Sequence, residues 1–170
     1  SVQWFLPNSW EFLASGVAAD ALRGVRVVLD TGNGAAFRIG PEVFRRVGAD
    51  VRVINDKPNG RNINANAGAM HPEGLARVVV EQKANYGVAF DGDADRVFLV
   101  DNEANLVSGS ITTAMVAKYL LEKNPGANIV YNVVCSKTVR EVIAENGGHG
   151  IRTRVGHSFI KKVMAENDAA

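Results

Sequence analysis

A single cysteine, Cys135, stands among 170 residues. No disulfide can form within the chain, which excludes the cross-linked framework of small secreted domains. Cys135 lies in an apolar, strand-like run and reads as a buried, inert thiol of a cytoplasmic protein. An excess of either charge is lacking as well. Lys and Arg number 19 against 18 Asp and Glu, a net charge of +1, which provides no electrostatic footprint for nucleic acid or an anionic membrane. No apolar run approaches the roughly 20 residues that span a bilayer, and the N-terminus shows no basic stretch followed by an apolar signal core. Internal repeats and low-complexity tracts are also missing. The remaining composition, 46% hydrophobic and 22% charged, is that of a globular protein with one large or two small domains.

Strand and helix patterns alternate along the chain. Asn8 and Glu11 have capping-box spacing and predict a helix over 10–22, closed by Gly24. Val25-Arg26-Val27-Val28-Leu29-Asp30 is a buried strand, followed by the turn Thr31-Gly32-Asn33-Gly34. A helix over 41–47 and an alternating strand over 50–54 come next. Residues 55–71 are polar and rich in Asn, a long loop, and Pro72 suits the first turn of a helix continuing to 83. Strands over 86–90 and 97–100 are joined too closely for a parallel crossover, so the second is expected to be an antiparallel neighbour. Ser108-Gly109-Ser110 caps a helix to 123. A strand over 128–134, a helix capped by Ser136, a strand over 151–155 and a helix over 157–166 complete the pattern. The expected fold class is α/β, with mixed, mostly parallel sheets flanked by helices. A boundary between 102 and 110 divides the chain into domains 1–105 and 106–170. Two strands make a thin sheet for the second, so the chain reads as an excised part of something longer.

The chemistry concentrates between the two closely joined strands, in Asp91-Gly92-Asp93-Ala94-Asp95-Arg96. Three carboxylates at alternate positions repel one another unless a cation lies between them. A hard divalent ion prefers such oxygens, and Mg²⁺ is the expected one. An EF-hand does not fit, because Arg96 stands where that loop needs Gly and Asn102 where it needs Glu. A strand followed by Asp-x-Asp also suits a haloacid-dehalogenase-type phosphatase, with Asp91 as nucleophile. Gly32-Asn33-Gly34 follows a strand, but Phe37 occupies the third glycine position of a dinucleotide fingerprint, so these are turn glycines.

The strand–Asp-Gly-Asp-Ala-Asp-Arg–strand block resembles the metal loop of the α-D-phosphohexomutase superfamily. Segments in the same order agree. Val27 to Ala35 is similar to the start of that family's second domain, and Gly60-Arg61-Asn62-Ile63-Asn64 with His71-Pro72-Glu73 to the loop before its aspartate strand. Arg152-Thr153-Arg154 with Val155-Gly156-His157-Ser158-Phe159-Ile160-Lys161 is similar to a third-domain segment of bacterial phosphomannomutase/phosphoglucomutases. The resemblance implies phosphoglucomutase-type domains 2 and 3, with domains 1 and 4 of the parent chain missing. It implies reversible transfer of phosphate between the 1- and 6-oxygens of a hexose, glucose or mannose first, through a bisphosphorylated sugar. Phosphoglucosamine mutase is the alternative, favoured by the Asn62-Ile63-Asn64 block, and a non-catalytic binding module is the other.

By the same resemblance Asp91, Asp93 and Asp95 bind Mg²⁺, and Arg96 holds the phosphoryl group or braces the loop. His157 contacts the sugar or assists proton transfer, and Ser136 and Lys137 lie at the carboxyl end of a strand, where α/β proteins bind ligands. The expected partners are hexose phosphates, with no nucleic acid and no membrane. The family's phosphoserine sits in Ser-His-Asn-Pro, a context that no serine here has, and its Gly-Glu-x-Ser-Gly-His sugar loop is absent. The chain alone is therefore expected to lack turnover.

Overall fold

Strand β1 (Arg26–Asp30) is the centre around which the first sheet forms. Its Val27, Val28 and Leu29 are completely buried, as expected of an apolar strand covered on both faces. β1 pairs in parallel with β2 (Asp50–Ile54) on one side and with β3 (Tyr86–Phe90) on the other. β4 (Val97–Asp101) runs antiparallel to β3, as the short connection requires, and β5 (Leu106–Val107) runs antiparallel to β4. The computed structural model describes residues 16–169, and the chain divides into two units, the first ending at Val107 and the second beginning at Ser108. The first holds the sheet β2-β1-β3-β4-β5, and the second holds a two-stranded sheet, β6-β7. The mixed α/β architecture expected from the sequence is the one that forms.

In the first unit, helix α1 (Ala36–Arg46) connects β1 to β2, and α2 (Pro72–Glu81) connects the long loop to β3. Pro72 occupies the first turn of α2, where its missing N–H has no partner to lose. Leu75 and Val79, one helical turn apart, bury themselves with Val28, Ala89 and Val100 on one face of the sheet. Val27, Leu29 and Val88 point to the other face, where Phe44 of α1 packs. Because β1 and β3 are parallel and in register at Asp30 and Ala89, the loops leaving them emerge at the same end of the sheet.

The second unit contains α3 (Gly109–Lys123), β6 (Asn128–Asn132), α4 (Lys137–Glu145), β7 (His149–Thr153) and α5 (His157–Glu166). β6 and β7 are parallel, and Ala114, Ala117, Leu121, Ile129, Tyr131, Val139 and Ile143 form the core. Ser108 caps α3 by accepting the N–H of Ile111 at 3.3 Å.

Several boundaries differ from the sequence pattern. Residues 10–15 of the first expected helix lie outside the described residues, and residues 16–24 contain turns and no helix. α1 begins at Ala36 and runs through Pro41, because its start is anchored by Ala35, whose N–H donates to Gly92. β6 ends at Asn132, whose side chain accepts the N–H of Val134 at 3.1 Å and turns the backbone out of the strand. Cys135 therefore lies beyond the strand and is half-buried, its thiol 3.5 Å from Asn132 Oδ1, so its expected full burial does not hold. His149, exposed, opens β7. Among the described residues no helix is long and apolar enough to cross a membrane.

Candidate metal centre

Asp91 is the first residue after β3, and only 1% of it is exposed. A carboxylate buried this deeply needs compensation, and Arg96 supplies it in two ways. The Arg96 backbone N–H donates to Asp91 Oδ1 at 3.1 Å, and its Nε donates to Oδ2 at 2.7 Å. Burial pushes the Asp91 carboxyl up, but the Arg96 backbone and guanidinium together hold it below the usual carboxylate range. The loop curls back because Ala94 adopts φ 63° and its N–H donates to the Asp91 carbonyl at 3.1 Å. Left-handed backbone at a residue with a Cβ is a strain that concentrates at functional sites.

Asp93 and Asp95 are exposed, and one oxygen from each lies within 4.8 Å of the others and of an Asp91 oxygen. Oxygens around Mg²⁺ at about 2.1 Å stand roughly 3–4 Å apart, so small side-chain rotations close this cluster on an ion. The donor set, three hard carboxylates with no nitrogen or sulfur, fits Mg²⁺. Arg96 Nε also approaches Asp95 Oδ1 at 3.3 Å. The guanidinium thus partly neutralises the same oxygens that would take a cation, while its two terminal nitrogens have no protein partner among the described residues.

A second loop supports this one. Asp30, wholly buried at the end of β1, accepts the Gly32 N–H at 2.9 Å and the Asn55 side-chain amide at 3.0 Å. Asn55 in turn accepts the Asn33 N–H at 2.7 Å through its carbonyl. These bonds shape the turn that delivers Ala35, whose N–H donates to Gly92 O at 2.8 Å. The two loops touch so closely that a Cβ on Gly34 would overlap the Gly92 backbone. A Cβ on Gly92 would come within 2.7 Å of Ile63 Cδ1, so residues of the long Asn-rich loop close the other side. The sequence pattern gave Asp30, Gly34 and Asn55 no role at the site. The available signal was an aspartate ending a buried strand next to a Gly-Asn-Gly turn.

The remaining candidates belong to the second unit. Ser136 precedes α4 without its side chain capping it, and Lys137 is the first residue of that helix, paired with Glu141 at 3.4 Å. His157, exposed, opens α5 after Gly156, whose φ of 135° sets the turn. His157 is not among the residues lining the cavity that holds Ser136 and Lys137.

Comparison with known proteins places these loops in a family context. Residues 9–105 match the family described as phosphoglucomutase/phosphomannomutase, alpha/beta/alpha domain II, and residues 108–170 match its domain III. The phosphoglucosamine mutase of Nautilia profundicola is 43% identical over 149 residues, covering 86% of this chain and 34% of that protein. The phosphoglucosamine mutase of Thermodesulfovibrio yellowstonii is 40% identical over 160 residues, covering 91% and 35%. A phosphoglucomutase/phosphomannomutase family protein from Burkholderia thailandensis superimposes with a TM-score of 0.86 at 26% identity, covering 96% of this chain and 36% of that one. The chain spans about a third of the length of the curated relatives it matches.

Proposed function

The chain belongs to the phosphoglucomutase/phosphomannomutase family of α-D-phosphohexomutases, and on that premise we propose that it carries the metal-binding part of a phosphoglucosamine mutase. In this reading it supplies domains 2 and 3 of an enzyme that moves a phosphoryl group between the 1- and 6-oxygens of a glucosamine phosphate. The observation that carries the reading is the convergence of Asp91, Asp93 and Asp95 within 4.8 Å at the carboxyl end of β3. The choice of sugar follows the relatives, which are named phosphoglucosamine mutase at 40–43% identity. The sequence had placed mannose and glucose phosphates first, on the similarity around Gly156-His157-Ser158, and these remain the second reading.

Asp91, Asp93 and Asp95 would hold Mg²⁺, each through one oxygen. Bound there, the ion supplies positive charge next to phosphoryl oxygens, which is the main demand of phosphoryl transfer. Arg96 serves two purposes. Its Nε keeps Asp91 ionised and in place, and its two terminal nitrogens are left to hold a phosphoryl oxygen, with a charge that persists at any working pH. His157, Ser136 and Lys137 are assigned to the substrate, His157 as donor to a sugar oxygen or proton carrier. No serine of the chain lies in Ser-His-Asn-Pro, so the chain alone has no phosphoryl donor and is expected to show no turnover. Family membership displaces the haloacid-dehalogenase reading, in which Asp91 would itself be the nucleophile.

The test is a chimera in which residues 9–170 replace the matching segment of the Nautilia profundicola enzyme. The reading expects Mg²⁺-dependent interconversion of glucosamine 1- and 6-phosphate, lost on Asp93→Asn. A folded chimera without that activity, beside an active host enzyme, would overturn the reading.

A further inference from the structure

In the second unit, a cavity of about 190 Å³ opens at the carboxyl end of β6, lined by Tyr131, Cys135, Ser136, Lys137, Arg140 and Arg152. Three of these six are cations, although the chain as a whole is nearly neutral at +1. Their convergence follows from the fold. Tyr131 and Arg152 are register partners in the parallel pair β6–β7, so both side chains leave the same face. Gly150, two residues before Arg152 on that face, lies against Tyr131 and Ile143, which places the face under α4. Lys137 and Arg140 stand three residues apart in the first turn of α4, hence on adjacent positions of one side.

The anion-attracting groups here are only partly satisfied. Lys137 pairs with Glu141 at 3.4 Å, the one carboxylate paired with these three cations among the described residues. Arg152 donates through one terminal nitrogen to the Val133 carbonyl at 2.9 Å, which fixes its side chain and leaves its other N–H groups open. Arg140 has no hydrogen-bond or ion-pair partner among the described residues. The Ser136 hydroxyl does not cap α4, so the Lys137 and Thr138 amides keep their donors, while the Val139 N–H donates to the Ser136 carbonyl at 3.2 Å. Two forked guanidiniums, an ammonium, a hydroxyl and a helix N-terminus around one small cavity match the shape and charge of a tetrahedral, doubly charged oxyanion.

We propose that the Lys137–Arg140–Arg152 cavity binds a phosphate monoester through its phosphate group, as an anion site separate from the aspartate loop. It specifies the ligand chemistry for Ser136 and Lys137, and it rests on the geometry of the second unit alone, whether or not the chain serves a mutase. The cavity holds the phosphate, and the open side admits the organic part of the ester. Glu141 is a built-in competitor, since Lys137 must exchange its carboxylate for the ligand.

The experiment is an NMR titration of the intact chain with inorganic phosphate, in EDTA and at constant ionic strength, with chloride as the control. EDTA removes the metal centre from the result, so failure here leaves the mutase reading standing. Saturable shifts confined to the amides of 136–140 and the side-chain signals of Arg140 and Arg152 are expected. The double variant Arg140→Gln/Arg152→Gln should abolish them, and Glu141→Gln should tighten binding several-fold. Linear shifts that chloride reproduces, or saturable shifts that survive in the double variant, would overturn the proposal. If the double variant does not fold, Glu141→Gln decides, and unchanged phosphate affinity in that surface variant counts against the site.

Discussion

The backbone N–H of Ala35 donates to the carbonyl of Gly92 at 2.8 Å, tying the turn after β1 to the aspartate loop after β3. The adjoining Gly34 leaves no room for a side chain against Gly92. Gly34→Ala should therefore displace the aspartate loop and cost about 1–3 kcal/mol by overpacking. It should also weaken Mg²⁺ by roughly tenfold or more, as disturbed support around metal ligands does. Gly74→Ala is the control: it lies within α2 with nothing near its Cβ position, and should be neutral or stabilising by about 0.5–1 kcal/mol. Urea midpoints and metal titration of both variants check the contrast. Equal behaviour of the two would remove the loop-on-loop argument.

Arg96 is the only cation bonded to the buried Asp91 among the described residues. Arg96→Gln should lower thermal stability in EDTA, because Asp91 keeps its backbone N–H but loses the charged partner. Mg²⁺ should then raise the melting temperature more in the variant than in the original chain, since the ion takes over the compensating charge. The comparison of Tm with and without Mg²⁺ measures this directly. A smaller Mg²⁺ effect in Arg96→Gln would mean that Arg96 helps to hold the metal instead of substituting for it.

Asp101, at the end of β4, accepts the Asn105 side-chain amide at 3.0 Å and the Asn105 and Glu103 backbone N–H groups at 2.8 and 2.9 Å. The Asn105 side chain, then its backbone, hold the carboxyl below its usual range against a smaller opposing effect of burial. A folded value below the unfolded one, about 3.9, stabilises the protein above that pH, and the contribution is lost as pH falls through the folded value. Asp101→Asn should thus be less stable than the original chain near neutrality, with the gap closing in acid. Denaturation curves at the two pH values test the sign, and a gap that widens in acid would contradict it.

The aspartate loop was legible in the sequence because its ligands are contiguous. Asp91, Asp93 and Asp95 need only one loop to converge, and the short link to Val97 already fixed β4 as antiparallel. The supporting contacts were not legible, because they join residues far apart. Asp30 meets Asn55 across 25 positions, and Ala35 meets Gly92 only once β1 and β3 are parallel neighbours. β5, two residues long, carries no periodicity to read. β6 ran too far in the sequence reading because Val133 and Val134 look like strand, and only the Asn132 side chain, competing for the backbone, turns them out. The cavity around Lys137 is not legible in the sequence for a related reason: Arg140 and Arg152 join it from a helix turn and a strand that sequence spacing does not bring together.

The account depends most on the three aspartates acting as one metal site. Mn²⁺ binding to the chain, followed by electron paramagnetic resonance with Mg²⁺ as competitor, tests that claim most directly. A single saturable site is predicted, displaced by Mg²⁺ and lost in both Asp93→Asn and Asp95→Asn. Binding that persists unchanged in those two variants would contradict it.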